Sequence, residues 1–308
     1  MAGLDAYQRA ERLPPPSTPP AGHRHGRARL IGWGRHRRPV VLVPSLINPS
    51  AILDLSERVS LLRALDAAGL QAWLLDWGTP NPAERAMDVG DHVRDLLVPL
   101  LARFDEPPVL VGYCLGGTMT LAAATCSSVA GVATIAAPWR FAGYGPAREA
   151  MARHWAGAHD ACDAMGLVPV EVLQAGFWRL DPVRTIDKYA AFGRMDPASE
   201  EARSFVRLED WANAGAPLTF AAGRQLFEDM IARDLPGTGG WFADPRTLKC
   251  PTVEFVSTTD RIVPAATAAG LADRRELAAG HVGMIVGRHR TALSRPLIDW
   301  IMALPAPR

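Results

Sequence analysis

Alternation of short apolar runs with helical stripes constrains the fold of this 308-residue chain more than any other feature of its sequence. Val40 to Val43 has the composition of a buried strand, the apolar residues from Leu55 to Leu65 lie at helical spacing, and residues 72–75 form another apolar run. Strand, helix, strand is a βαβ unit, and the alternation continues through residues 83–136 and resumes near residue 252. The sequence therefore predicts an α/β protein with a mostly parallel central sheet flanked by helices.

The same pattern divides the chain. Residues 1–27 are rich in Pro and Arg and have no apolar period, so we expect a loosely ordered arm. Residues 28–140 and 246–304 are expected to form one discontinuous α/β core, in which Leu30 and Ile31 predict a strand that neighbours the next apolar run. In residues 141–245 the strand rhythm stops and tryptophans occur among helical stretches, which predicts an inserted, mainly helical cap.

Composition excludes several classes of protein. The 33 Lys+Arg and 32 Asp+Glu residues leave a formal net charge of +1, so no nucleic-acid partner is expected. Four cysteines without a CxxC pair argue against a disulfide framework and a zinc site, so we expect reduced thiols and no bound metal. The chain has no uncharged apolar stretch of about 18 residues, so no transmembrane segment is expected. It also lacks an apolar leader after Met1, and the predicted location is the cytoplasm.

A glycine-rich motif around Cys114 carries the strongest chemical signal. In Gly112-Tyr113-Cys114-Leu115-Gly116-Gly117, glycines lie two residues before and two residues after the cysteine, between a predicted strand and a predicted helix. This spacing allows the tight strand-to-helix turn that presents a nucleophile at a helix N-terminus, where the thiolate form is favoured. The alternative interpretation is a structural cysteine beside a Gly-rich turn.

Two further residues complete the order nucleophile, acid, histidine. Asp260 follows the strand predicted at residues 252–257, and His281 lies between Gly280 and Val282 before the last helix. Both positions fall at carboxyl ends of predicted strands, where catalytic loops meet. His281 is the candidate general base toward Cys114, and Asp260 is the candidate partner that fixes its tautomer. The alternatives are a turn or helix cap for Asp260 and a surface loop residue for His281.

An oxyanion requires two hydrogen-bond donors. We expect one to be the backbone N–H of Leu115 and the other to be the backbone N–H of Ile47 or Leu46, in the loop 44–49. For this loop the alternative is an ordinary Asn-Pro turn. Four residues near these positions are candidate substrate-binding residues: Leu46, Asn48, Tyr113 and Trp77. For Trp77, a place in a turn is an equal alternative.

Taken together, these motifs resemble a known family. Val43-Pro44-Ser45-Leu46-Ile47-Asn48, the cysteine motif, Asp260-Arg261-Ile262-Val263-Pro264 and Gly280-His281-Val282-Gly283 occur in the order found in polyhydroxyalkanoate synthases, which have the α/β-hydrolase fold. The resemblance covers about residues 30–137 and 250–300. It departs from the family at Arg261, because members commonly carry His directly after the corresponding Asp.

The resemblance implies a specific activity. Cys114 would accept acyl groups, His281 would act as base with Asp260 as its partner, and hydroxyacyl-coenzyme A thioesters would be polymerised to a polyester chain. It implies no cofactor other than the coenzyme A of the substrate, a homodimer or a partner subunit, and a place at the surface of polyester granules. Two alternatives remain open: a hydrolase with the same three residues, either a thioesterase or an intracellular depolymerase, and a non-catalytic scaffold.

A group of arginines near the N-terminus allows two interpretations. They are typical of a solvated sheet edge and turn, and they are also of the type that contacts coenzyme A phosphates. The group consists of Arg24, Arg27, Arg29, Arg35, Arg37 and Arg38.

Overall fold

The computed structural model describes residues 2–36, 38–178, 182–287 and 290–305. Its strands are β1 (Ala21–His25), β2 (Ala28–Gly32), β3 (Pro39–Val43), β4 (Gln71–Asp76), β5 (Val109–Tyr113), β6 (Gly131–Ile135), β7 (Leu167–Val168), β8 (Leu218–Thr219), β9 (Thr252–Ser257) and β10 (Arg274–Leu277). Eight of them form one sheet in the order β1-β2-β4-β3-β5-β6-β9-β10.

Helices cover this sheet and fill the segment between β6 and β9. They are α1 (Ala2–Arg9), α2 (Leu61–Ala67), α3 (Val89–Asp91), α4 (Val98–Leu101), α5 (Leu115–Cys126), α6 (Ala147–Met165), α7 (Val170–Trp178), α8 (Pro182–Phe192), α9 (Glu200–Asn213), α10 (Phe220–Arg224), α11 (Leu235–Thr238), α12 (Gly283–Val286) and α13 (Arg290–Ala303). A π-helical segment, His92–Leu97, joins α3 to α4.

The strands from β3 onward in the large sheet pair in parallel. Every residue of β3, β5 and β6 is buried, because helices cover both faces of the sheet. The parallel arrangement brings the carboxyl ends of these strands to one edge, so that the loops following them meet there. The predicted α/β architecture is confirmed.

The expected neighbour of the first core strand was wrong. Leu30 and Ile31 lie in β2, which pairs antiparallel with β4 and not with β3. Both sides of β3 are already occupied by parallel partners, β4 and β5. The N-terminal strands therefore extend the sheet beyond β4.

Residues 2–27 are more ordered than the composition of the arm predicts. β1 pairs with β2, and α1 packs against a small apolar cluster of the cap that includes Phe192 and Val206. The hydroxyl of Tyr7 donates a hydrogen bond to Asp210 at 2.6 Å, which ties α1 to α9. The arm thus spans from the cap to the edge strand of the core.

In the described part of the segment between β6 and β9 there are six α-helices, α6 to α11, and the two-stranded β7-β8 pair. Its aromatic residues pack against one another, and the ring of Trp155 stacks on Phe227 with centroids 5.1 Å apart. The mainly helical character agrees with the cap expected at residues 141–245, and the boundaries of the predicted domains stay a prediction.

A buried histidine lies where the π-helical segment begins. His92 is 2% exposed, its Nδ1 lies 2.6 Å from the carbonyl oxygen of Asp88, and its Nε2 lies 2.5 Å from Nη2 of Arg27. Because a guanidinium group only donates, Nε2 accepts from Arg27 and Nδ1–H donates to Asp88. This arrangement requires neutral imidazole. Burial and the adjacent Arg27 charge lower the pKa of His92 to about 4, although the bond to Asp88 opposes the shift.

We expect His92 to destabilise the protein in acid. In the unfolded chain a histidine has a pKa of about 6.5, so below that pH the unfolded state binds a proton that the folded state does not. Stability is therefore lost as the pH falls from about 6.5 toward 4, by about 3 kcal/mol. Urea unfolding at pH 7.5 and pH 4.5 should show a smaller pH-dependent loss for His92→Gln, which keeps a donor and an acceptor but does not titrate. An equal loss in both proteins would contradict the assignment.

Candidate active site

The cysteine motif forms a strained turn between β5 and α5. Cys114 has φ +57° and ψ −133°, a conformation that L-residues rarely adopt. The neighbouring glycines allow close packing: a Cβ on Gly116 would lie 2.2 Å from the carbonyl oxygen of Val43, and a Cβ on Gly117 would lie 2.3 Å from Cβ of Ala137. The strand–turn–helix geometry predicted from the motif is therefore present, and it presents the Cys114 sulfur at the N-terminus of α5.

Asp260 and His281 lie together after β9 and β10. Nδ1 of His281 is 2.6 Å from Oδ2 of Asp260, and both side chains are buried. The other carboxylate oxygen of Asp260 accepts backbone N–H bonds from Ile262 at 2.7 Å and Val263 at 2.9 Å. These bonds fix the carboxylate, and the carboxylate fixes the imidazole, so that Nε2 is left for Cys114.

Electrostatics favour a charged imidazole. Burial alone would lower the pKa of His281, but the charge of Cys114 and hydrogen bonds to Asp260 and Cys114 raise that pKa to about 10. A cationic imidazole beside a sulfur favours its thiolate form. The three residues that the sequence singled out are thus brought together, and their catalytic roles stay a prediction.

Tyr113 packs directly against the histidine. Its ring stacks on the His281 imidazole with centroids 5.0 Å apart, and its hydroxyl donates to the carbonyl oxygen of His281 at 3.4 Å. Burial and the nearby Cys114 and Asp260 charges hold the pKa of Tyr113 well above its usual value. Tyr113 therefore supports the position of His281, a contact that its place in the motif did not reveal. Its predicted role in substrate binding is untested.

The two predicted oxyanion donors differ in their surroundings. The N–H of Leu115 is at the first position of α5, where no intrahelical acceptor exists. The N–H of Ile47 donates to Oγ of Ser45 at 3.1 Å, so it is engaged in this state. Trp77 contacts the same loop, because its indole N–H donates a hydrogen bond to the carbonyl oxygen of Pro44 at 3.1 Å.

Two cavities meet at Cys114. The first, which we call the apolar cavity, has a volume of about 160 Å³ and lies under the cap. Its walls include Phe141, Tyr144, Met151, Leu226, Phe227 and Ile231. The second, the mixed cavity, has a volume of about 320 Å³ and includes Asn48, Tyr113 and His281. Cys114 and Ile47 border both, so the sulfur is accessible from two sides.

The cap adds polar groups that the sequence did not predict. Nζ of Lys188 lies 2.8 Å from the buried carboxylate of Glu209, and both residues border the mixed cavity beside Gln174. These side chains come from three different helices, α7, α8 and α9. They have no common spacing in the sequence, so only the fold could reveal them.

A family model described as the alpha/beta hydrolase family matches residues 40–293. Together with the sheet order and the strained turn at Cys114, this match shows that the chain belongs to the alpha/beta hydrolase family.

Solved structures of other proteins share this fold. Epoxide hydrolase A from Mycobacterium thermoresistibile matches with a TM-score of 0.54 and 19% sequence identity. The match covers 94% of this chain and 99% of the epoxide hydrolase chain. The monoacylglycerol lipase from Paleococcus ferrophilus has a TM-score of 0.51 and 16% identity, and covers 87% and 97%.

Within that family the chain is similar to poly(3-hydroxyalkanoate) polymerase subunits, in agreement with the resemblance of its motifs. It is 28% identical over 285 residues to a poly(3-hydroxyalkanoate) polymerase subunit of Haloferax mediterranei. The match covers 85% of this chain and 58% of the Haloferax subunit. It is 27% identical over 288 residues to the corresponding subunit of Allochromatium vinosum, covering 85% and 80%. The chain thus spans little more than half the length of the Haloferax relative. These similarities indicate an enzyme of the α/β hydrolase class.

None of the described helices has both the length and the apolar character that crossing a membrane requires. In the described ranges no group of three or more His, Cys, Asp and Glu side chains is arranged to hold a metal ion.

Proposed function

We propose that this protein is a cysteine-dependent acyltransferase that polymerises hydroxyacyl-coenzyme A thioesters through an acyl group on Cys114. The observation that carries the proposal is the position of Cys114, beside the His281–Asp260 pair and at the junction of two cavities. A transferase needs room for an acyl group and for the molecule that delivers or accepts it. The similarity to polymerase subunits supports the same assignment.

In the first step the Cys114 sulfur attacks the thioester carbonyl. The negative charge that develops on oxygen is stabilised by the Leu115 N–H and by a second N–H of the loop 44–49. When the carbon–sulfur bond to coenzyme A breaks, the leaving thiolate takes a proton from Nε2 of His281. One thioester is exchanged for another, so the acyl group stays activated, and no cofactor other than the substrate's coenzyme A takes part.

In the second step a hydroxyl group attacks the acyl-Cys114 thioester. His281 accepts the hydroxyl proton, and the Cys114 thiolate leaves. If the hydroxyl belongs to a hydroxyacyl chain, the product is an ester and the chain grows by one unit. If water attacks, the product is a free acid. The cap controls this partition to the extent that it keeps water from the mixed cavity.

Arg261 favours a second candidate, a hydrolase with the same three residues. It occupies the position after Asp260 where polyhydroxyalkanoate synthases commonly carry a histidine. A chain without that histidine could form the acyl-cysteine and then release it to water. This candidate is a thioesterase or an intracellular polyester depolymerase.

Purified protein mixed with 3-hydroxybutyryl-coenzyme A distinguishes these functions. Thiol release is followed with a thiol reagent, and the acyl product is analysed after extraction. We expect thiol release together with oligomers or polymer of 3-hydroxybutyrate. If free 3-hydroxybutyrate formed in an amount equal to the released thiol, the protein would be a hydrolase and not a transferase. No thiol release from acyl-coenzyme A substrates of several chain lengths would contradict both.

A further inference from the structure

A third cavity, which we call the basic cavity, adjoins the mixed cavity. It has a volume of about 480 Å³, and the two cavities share Ser45, Asn48 and Pro49. Three arginines line it, Arg24 on β1, Arg29 on β2 and Arg27 in the turn between these strands, with Asp76 as the acidic residue of its described wall. The cavity is therefore positively charged and lies next to the space in front of Cys114.

The three arginines differ in their partners. Arg27 is half-buried and forms an ion pair with Glu84, and Arg29 pairs with Asp76 at 2.8 Å. The side chain of Arg24 is exposed and forms no ion pair or hydrogen bond within the part of the chain that the structure describes. Its guanidinium group is thus available to an anion. Arginine binds phosphate through two parallel hydrogen bonds, so phosphate is an anion that this group fits.

Strand register places these arginines at the catalytic edge of the sheet. Arg29 on β2 is opposite Asp76, the last residue of β4, and Arg24 on β1 is opposite Arg29. In the order β1-β2-β4-β3-β5, β2 lies three strands and β1 four strands from the strand that precedes Cys114. At the usual strand spacing these separations are about 14 Å and about 19 Å.

That separation suits the substrate class. In a coenzyme A thioester the pantetheine arm joins the sulfur to the first phosphate, and standard bond lengths give an extended arm of about 16 Å. A thioester at Cys114 whose arm runs through the mixed cavity past Asn48 would therefore bring its phosphates to the basic cavity. Ser50 and Thr79, which also line this cavity, offer hydroxyl donors there.

We infer that the basic cavity binds the phosphates of coenzyme A, with Arg24 as the principal contact and Arg29, which is paired with Asp76, as a second contact beside it. This inference rests on the proposed function, because it takes the substrate to be a coenzyme A thioester. The N-terminal arginines allowed two interpretations, a solvated sheet edge or phosphate binding. The inference assigns phosphate binding to Arg24 on β1 and to Arg29 at the start of β2. Arg35 and Arg38 have other partners, Asp66 and backbone carbonyls near Ile301, and Arg37 lies outside the described residues.

Calorimetric titration of the full chain with free coenzyme A tests the site without requiring turnover. The variant Arg24→Gln/Arg29→Gln should bind coenzyme A at least about tenfold more weakly than wild type, and Arg103→Gln should bind it like wild type. Arg103 is an exposed arginine outside the cavity walls and serves as the matched control. Equal affinity of the double variant and wild type, or no coenzyme A binding by wild type, would overturn the inference.

Two further ligands separate the substrate from a general anion site. Pantetheine lacks the phosphates, so its weaker binding should be the same in wild type and in the double variant. Inorganic phosphate should bind far more weakly than coenzyme A. If inorganic phosphate bound as tightly as coenzyme A, the cavity would be an anion site without a role in thioester recognition. If the protein bound coenzyme A as described but did not polymerise 3-hydroxybutyryl-coenzyme A, the assignment of the basic cavity would still hold and only the proposed function would fail.

Kinetics provide an independent readout in an active preparation. The double variant should raise KM for 3-hydroxybutyryl-coenzyme A about tenfold with little change in kcat, because the contacts lie far from the reacting atoms. KM for the 3-hydroxybutyryl thioester of pantetheine should not change. An equal increase in KM for both thioesters would show that the substitutions disturb the catalytic cavity and would contradict phosphate binding.

Discussion

Replacing Cys114 by alanine is expected to lower thioester turnover by at least about a thousandfold while leaving the fold intact. The sulfur is the atom that takes the acyl group in the proposed mechanism, and among the described residues no other nucleophilic side chain borders both cavities. Alanine keeps the Cβ atom, so the strained backbone at φ +57° is not altered further. The measurement is kcat/KM with 3-hydroxybutyryl-coenzyme A, accompanied by a thermal unfolding curve.

Cys126→Ala is the matched control for this substitution. Cys126 is an exposed thiol at the last residue of α5, the helix that begins directly after Cys114. It should retain wild-type turnover and stability. If Cys114→Ala retained turnover comparable to that of Cys126→Ala, Cys114 would not be the nucleophile, whichever product formed.

His281→Gln is expected to reduce turnover by about a thousandfold or more. The pKa of His281 is raised to about 10, so in wild type the imidazole stays charged at neutral pH and sits beside Cys114. Glutamine carries no charge and transfers no proton. Alkylation of Cys114 by iodoacetamide at pH 6.5 should therefore be at least about tenfold slower in His281→Gln than in wild type.

The alkylation rate separates a chemical role for His281 from a structural one. A raised pKa means that the imidazole keeps its charge until the pH rises through about 10, so it faces the Cys114 sulfur as a cation at the pH of the alkylation experiment. Tyr113→Phe keeps the ring that stacks on the imidazole and should preserve this behaviour. An alkylation rate that is identical in wild type and His281→Gln would show that the imidazole does not act on the Cys114 sulfur.

Local patterns in the sequence predicted that Cys114, Asp260 and His281 lie close together. The turn at Cys114 follows from glycine spacing, because Gly116 and Gly117 lie where a Cβ would collide with Val43 and Ala137. Asp260 and His281 follow from their places after strands, because parallel strands bring their carboxyl ends to one edge. Such features depend on a few adjacent residues, which is why the sequence alone could reveal them.

Features that depend on contacts between distant segments were not predictable in this way. The pairing of β2 with β4 depends on which edge of the sheet is free, and the apolar run at Leu30 has no signal for that choice. The Lys188–Glu209 pair and the stacking of Tyr113 on His281 arise only when separate elements pack. The engagement of the Ile47 N–H by Ser45 is likewise a detail of loop geometry.

Whether Cys114 carries the acyl group can be measured as the mass of the intact protein after brief mixing with excess 3-hydroxybutyryl-coenzyme A. We expect a species heavier than the free protein by one or more hydroxybutyryl units, with the added mass on the peptide that contains Cys114. The same experiment with Cys114→Ala should show no added mass. An unmodified wild-type protein during active thiol release, or an acyl group on a different residue, would contradict the account.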